Sequence, residues 1–189
     1  MDRESLFILS YSDASYANIL PDKTKSGEGY LTFLCDHRGN CSLLNWKSNK
    51  IKRVVHSTVA AEGLGLVDAL GDAFYVRNVL EDILFNDVKR KTIPIEIYTD
   101  SELLFKSIGS TKSATEKPLR VTIAELKEMF GDHENNTSLY WIPNKLMVAD
   151  CLTKIGASTE NLEKIMASGV IDLQELKENR ASLMDVVLM

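Results

Sequence analysis

The sequence predicts an α/β fold, a mixed five-stranded sheet of three antiparallel strands followed by parallel ones, flanked by α-helices. Three observations carry this. Residues 6–47 hold three β-patterned runs joined by short polar segments. A long helical periodicity begins at Thr58. The later strand-like runs are each reached through helical crossovers, which can return a strand parallel to the first.

The first run, LFILSYS, enters a core and ends on its pattern at Asp13, within YSDASYAN. Asp22 to Gly29 is polar and reads as a loop. YLTFLCD and CSLLNWK then flank the turn Asp36-His37-Arg38-Gly39-Asn40, a hairpin signal. From Thr58 to about Phe85 the pattern is helical, with Ser57 as N-cap. Its inward stripe runs Val59, Glu62, Leu66, Ala69, Ala73, Val76, Leu80, Ile83, while Asp68, Asp72, Asn78 and Asp82 fall on the other side. IPIEIYTD is an alternating strand over Ile93–Asp100, again ending in an acid. Ser101–Ile108 is a short helix, GSTKSATEKP is flexible, and Leu119, Ile123, Leu126 and Phe130 mark a further helix. SLYWIP, at 138–143, is the fifth strand, and LMVADCLTK opens a helix carrying Asp150. Beyond Gly156, Glu160–Ala167 and Leu173–Met184 read as helices, the second capped by Asp172 with Glu175. Residues 1–155 thus form the domain, and 156–189 a C-terminal helical extension to which the sequence assigns no role.

Composition narrows the function classes. The 189 residues are 44% hydrophobic and 26% charged, as in an ordinary globular domain with a real core. No apolar run approaches the roughly 20 residues that span a bilayer, and MDRESLFILS lacks the pattern of an export signal. Three cysteines, Cys35, Cys41 and Cys151, do not make a disulfide framework and fit a reducing, intracellular compartment. Cys35, His37 and Cys41 fall short of the four ligands of a structural zinc site and read as the flanks of the hairpin. The net charge of −5 excludes a generally cationic nucleic-acid binder. Basic residues nevertheless cluster at Lys47, Lys50, Lys52 and Arg53, and at Lys112, Lys117 and Arg120.

Four acids are the candidate chemistry. Parallel neighbouring strands ending in Asp13 and Asp100 set their carboxylates side by side, at the strand ends where open α/β sheets carry their sites. Glu62, an acid on an otherwise apolar stripe, can reach them, and Asp150 closes the group unless it merely pairs with Lys154 at i+4. Carboxylates so gathered repel, and a divalent cation relieves the repulsion; oxygen ligands favour magnesium or manganese. Two such ions suit phosphodiester hydrolysis without a protein nucleophile.

These residues lie in motifs that together resemble the ribonuclease H domain of copia-type LTR retrotransposon polyproteins. The motifs are SDASYAN, KTKSGEGYLTFL, LLNWKSNK, VVHSTVAAEGLGLVDAL, IYTDSELL, TEKPLRVTIAELKE and YWIPNKLMVADCLTK, in that order over residues 6–154. The resemblance implies a ribonuclease H-like fold and cleavage of the RNA strand of an RNA–DNA hybrid. It implies two magnesium ions, with manganese as substitute, held by Asp13, Glu62, Asp100 and Asp150. It also implies a reverse transcriptase in the same polyprotein, and residence in the cytoplasm, a retrotransposon particle or the nucleus. With a hybrid as substrate, Ser12, Ser15, Asn18, Lys47, Lys50, Lys52, Arg53, Ser101, Lys117 and Arg120 become candidate contacts. The chain departs from the pattern in places. IPNKLMVAD has no His where many cellular relatives carry a His-bearing loop, Gly63 and Gly65 follow Glu62, and Pro118 stands where a basic residue is common. Two other readings stay open: an integrase- or resolvase-like task on the same superfold, and an inactive or domesticated module that binds without cutting.

Overall fold

The computed structural model describes residues 5–19, 25–85, 92–111 and 117–183. Strands β1 (Phe7–Ile19), β2 (Lys25–Cys35) and β3 (Cys41–Lys50) precede the long helix α1 (Thr58–Leu84). Strand β4 (Ile95–Thr99), helices α2 (Glu102–Gly109) and α3 (Lys117–Gly131) and strand β5 (Thr137–Trp141) follow. The chain ends with α4 (Asp150–Thr153), α5 (Glu160–Ser168), α6 (Leu173–Asn179) and the short strand β6 (Ala181–Ser182). The sheet order is β3-β2-β1-β4-β5-β6. β1, β2 and β3 are antiparallel, and β4 and β5 are parallel to β1.

Alternation along the strands divides the core in two. Ile8, Ile95 and Ile97 join Leu66 and Leu70 of α1 and Ile123 and Leu126 of α3 on one face. Leu9, Tyr11, Phe33 and Tyr98 join Ile142, Val148, Ile171 and Leu176 on the other. Each such side chain contributes about 1.5–3 kcal/mol by leaving water. Ser57 caps α1 as expected, its hydroxyl accepting from the Ala60 N–H at 3.3 Å.

Several expectations are corrected. The sheet has six strands, not five, because the last helix stops at Asn179 and Ala181–Ser182 pairs with Trp141–Tyr140. Arg180 ends that helix: it donates to Glu96 at 3.0 Å and to the Tyr98 hydroxyl at 2.7 Å, with its guanidinium over the Tyr140 ring. Asp13 does not end its strand. β1 runs on to Ile19, and Lys25–Gly29, expected in a loop, is strand, because Asp13, Ala14 and Ser15 pair with Gly29, Glu28 and Gly27. That ladder satisfies the backbone polar groups of a polar stretch, which its composition alone does not announce. On α1, Ile83 is 72% exposed, and Arg77 and Glu81 occupy the buried face near that end. Arg77 donates to the Asn135 carbonyl at 2.5 Å, and Glu81 accepts from the Ile93 N–H at 2.8 Å. Asp68 and Asp72 turn toward the sheet: Asp68 pairs with Lys47, and Asp72 accepts from Thr32 at 2.7 Å and Asn45 at 2.5 Å.

The hairpin reading of residues 36–40 agrees with the structure: the Asp36 carboxylate accepts from the Arg38 and Asn40 N–H groups, and Gly39 takes a φ of 85°. Cys35 and Cys41 are paired across it as free thiols. A side chain at Gly39 would meet the Ile171 carbonyl oxygen at 2.3 Å, so this glycine admits the C-terminal segment, whose Ile171 N–H donates to the Gly39 carbonyl at 2.8 Å. Much of GSTKSATEKP, including Lys112, lies outside the described residues. Among the described residues no helix is long and apolar enough to cross a membrane.

Arg180→Ala removes two hydrogen bonds, a carboxylate partner and a cation–π contact. It is expected to lower unfolding stability by about 2–3 kcal/mol in urea; an unchanged midpoint would show that this staple does not hold the sixth strand.

Candidate functional site

The site forms where one strand outruns its neighbour. β1 pairs with β4 only from Ile8 to Tyr11, whereas its pairing with β2 continues through Ser15. Asp13 therefore stands just past the last β1–β4 pair, 1% exposed, where the sheet opens. Asp100 directly follows β4. Its carbonyl accepts from the Trp141 indole N–H at 3.0 Å, and its carboxylate accepts from the Asn144 amide at 3.0 Å.

Asp150 arrives on α4, a single helical turn. That turn lies flat on the sheet because Gly29 beneath it has no side chain: a Cβ there would stand 2.8 Å from Leu152 Cβ and 2.9 Å from Thr153 Cγ2. The Ser48 hydroxyl donates to the Leu152 carbonyl at 2.6 Å and ties the turn to β3. The Thr153 hydroxyl donates to Asp13 Oδ2, binding the turn to β1.

Each of Asp13, Asp100 and Asp150 offers an oxygen, and these oxygens all lie within 4.8 Å of one another. Glu62 lies outside that trio. It is 6% exposed on α1 and electrostatically coupled to Asp13 and Asp100. Burial, reinforced by Asp13 and Asp100, pushes the Glu62 carboxyl up to about 9. Burial likewise pushes Asp13 up to about 6, against the Thr153 hydroxyl and the Lys154 ammonium, and raises Asp100. Lys154 meets Asp150 Oδ1 at 2.6 Å, Asp13 Oδ1 at 3.3 Å and Asp100 Oδ2 at 3.8 Å. The i+4 pairing of Asp150 with Lys154 and the convergence of the acids are thus both present.

The donor set fits a hard divalent cation. All available atoms are carboxylate oxygens, and Asp13 Oδ1 is buried without accepting a hydrogen bond among the described residues. Apart from the Lys154 ammonium at 3.3 Å, that oxygen has its lone pairs open to a metal ion. Asp13, Asp100 and Asp150 would be direct ligands, with Glu62 beside them.

The candidate substrate contacts are dispersed. Ser12 and Ser15 are buried, and the Ser15 hydroxyl has no hydrogen-bond partner among the described residues. Asn18 lies on β1, its side chain outside the described residues. Lys47 is held by Glu28 at 3.0 Å and by Asp68. Lys50, Lys52 and Arg53 are exposed at and beyond the end of β3, and Lys117 and Arg120 are exposed in the first turn of α3. Ser101 is half-buried before α2. A cleft of about 660 Å³ beside the turn that carries Asp150 is lined by Ser48, Lys50, Leu152, Thr153, Lys154 and Ile155.

Sequence reasoning did not foresee Gly29, Thr153, Asn144 or Trp141 as supports, nor that Lys154 touches three acids. The signal lay in the strings quoted for the resemblance, GEGY, YWIPN and CLTK, but only the fold shows what they face. A Cβ at Gly65 would stand at ordinary contact distance from Asp13 and Ala14, whereas one at Gly63 would meet Thr122 of α3 at 3.1 Å, not the sheet.

No protein-family model matches the sequence. Solved structures share its fold. LC11-RNase H1, isolated from compost by a metagenomic approach, aligns over 85% of this chain and 98% of its own, at 20% identity and a TM-score of 0.55. The same protein in complex with an RNA/DNA hybrid aligns over 84% and 99%, at 21% identity and a TM-score of 0.54. A foamy viral protease-reverse transcriptase in complex with double-stranded DNA aligns over 84% of this chain and 99% of that one, at 16% identity and 0.53. The fold is the α/β fold of ribonuclease H.

Two outcomes test the geometry. Gly29→Ala must lift α4, and is expected to cost about 1–3 kcal/mol in unfolding stability while weakening magnesium binding; unchanged calorimetric affinity would show that the seat of α4 does not set the site. Glu62 keeps in the folded state a proton that the unfolded chain loses near its ordinary 4.5. A raised folded pKa means that metal-free stability falls as pH rises from there toward about 9. Thermal unfolding in chelator should show the parent losing ground to Glu62→Gln across that window, and a pH-independent difference would contradict the burial account.

Proposed function

We propose that the chain is a metal-dependent endoribonuclease that hydrolyses the RNA strand of RNA–DNA hybrids. On this reading Asp13, Glu62, Asp100 and Asp150 hold two magnesium ions, with manganese as an alternative. The observation that carries it is the convergence of Asp13, Asp100 and Asp150 within 4.8 Å, on a ribonuclease H fold, around a buried carboxylate oxygen with no hydrogen bond. The hybrid bound to LC11-RNase H1 supports the choice of substrate class. Reverse transcription supplies the context: the domain follows a reverse transcriptase in a retrotransposon polyprotein, and the sequence motifs support that placement.

When bound, the metal ions activate a water and stabilise the departing oxygen of the phosphodiester. The chain's own residues prepare that chemistry. Thr153 and Asn144 orient Asp13 and Asp100 by donating to one oxygen of each. Trp141 fixes the backbone of Asp100, and Gly29 lets the turn that carries Asp150 lie close over β2. Burial of Asp13 keeps water from screening its charge, and burial of Glu62 holds its carboxyl protonated until a cation draws the proton off. Lys50, Lys52, Arg53, Lys117 and Arg120 offer exposed positive charge to phosphates, and recognition of a hybrid rests on groove shape and 2′-hydroxyls rather than on base sequence.

A cleavage assay on labelled hybrid, duplex DNA and double-stranded RNA, with and without magnesium, tests the reading. Magnesium-dependent cutting of the RNA strand of the hybrid alone is expected, and Asp100→Asn should abolish it while the unfolding midpoint stays near that of the parent. An equally active Asp100→Asn chain would refute the site. Cutting of duplex DNA would point instead to an integrase- or resolvase-like enzyme, and metal-independent binding of hybrid without cutting to an inactive module.

A further inference from the structure

The Lys154 ammonium stands among the same three carboxylates that fit a divalent cation. Its nitrogen is 2.6 Å from Asp150, 3.3 Å from Asp13 and 3.8 Å from Asp100. An isolated i,i+4 ion pair needs only Asp150. Contact with Asp13 and Asp100 as well places the charge at the centre of the cluster. The backbone beneath it is fixed: the Lys154 N–H donates to the Asp150 carbonyl at 2.9 Å, and the preceding Thr153 is bound to Asp13. The side chain, by contrast, is 34% exposed, and the open cleft it lines, with Ser48 and Asn49 on its wall, gives it room to move. The chain just beyond is open, with exposed Ile155 and a Gly156 that has nothing near its Cβ position.

Two cations cannot share these oxygens at close range. An ammonium and a divalent ion a few ångströms apart repel, and the ion with more charge and more carboxylate contacts displaces the other. We propose that Lys154 is a built-in counter-ion: it holds Asp13, Asp100 and Asp150 together in the metal-free protein and is displaced into the neighbouring cleft when a divalent cation binds. Lys154 is on this account a positioning residue that sets the metal concentration at which the site fills. The inference rests on the metal-centre reading above.

The test compares the full chain with Lys154→Met, which keeps the length of the side chain and removes its charge, and with Lys154→Arg, which keeps the charge. Magnesium and manganese binding are measured by calorimetry, and thermal unfolding is followed in chelator and in saturating magnesium. The Met variant is expected to unfold at lower temperature than the parent in chelator, and to lose that deficit in magnesium. It should also bind either metal at least about tenfold more tightly. The Arg variant should retain the parent's metal-free stability and its weaker metal affinity. Tightening is the diagnostic result, because a lysine that merely braces the fold would leave binding weaker or unchanged when removed. Equal or weaker affinity in the Met variant overturns the counter-ion role while leaving the metal centre standing. Absence of metal binding in parent and variants alike overturns both, so the two failures are distinguishable. Should the Met variant fail to fold even in saturating magnesium, displacement is likewise refuted, because the metal then does not take the place of the ammonium among the acids.

Discussion

Like charges gathered in a buried place need a cation among them, and this constraint organises the molecule. Asp13, Asp100 and Asp150 bring oxygens within 4.8 Å of one another, and Glu62 adds a fourth carboxyl at the same opening in the sheet. The fold meets the repulsion in three ways. Hydrogen-bond donors from Thr153 and Asn144 take one oxygen each of Asp13 and Asp100. Burial favours the protonated form of Glu62. Lys154 places its ammonium against all three of the other acids. None of these satisfies Asp13 Oδ1 with a hydrogen bond, although the Lys154 ammonium stands 3.3 Å from it.

The rest of the architecture serves the same point. β1 outruns β4, so an acid on β1 meets the residue that follows β4 instead of being covered by it. Gly29 leaves a flat place on β2 where α4 can lie, and Ser48 and Thr153 hold it there. On the same side of the sheet, Ile171 and Leu176 of the C-terminal segment complete the core behind the site, and Arg180 locks that segment to Glu96, Tyr98 and Tyr140.

Much of this was legible in the sequence, and for identifiable reasons. Helix α1 announced itself through a long 3.6-residue periodicity and a serine cap, and Glu62 stood out because an acid interrupts an apolar stripe. Asp13 and Asp100 were visible as acids closing apolar runs. What stayed hidden depends on pairing rather than pattern. Residues 25–29 are polar and glycine-rich, yet they form strand because β1 and β3 flank them and satisfy their backbone groups. The sixth strand rests on Arg180, a residue whose partners lie 82 and 84 positions away in the chain. Lys154 was visible only as a helical neighbour of Asp150. Its contacts with Asp13 and Asp100 arise from tertiary placement that no local spacing encodes.

The central claim is that a divalent cation belongs among Asp13, Asp100 and Asp150. Anomalous diffraction from crystals of the protein soaked in manganese tests it most directly. The account predicts manganese peaks bonded to carboxylate oxygens of all three acids, with the Lys154 ammonium withdrawn from them. Crystals saturated with manganese in which Lys154 still contacts the three acids, and no anomalous peak lies among them, would contradict it.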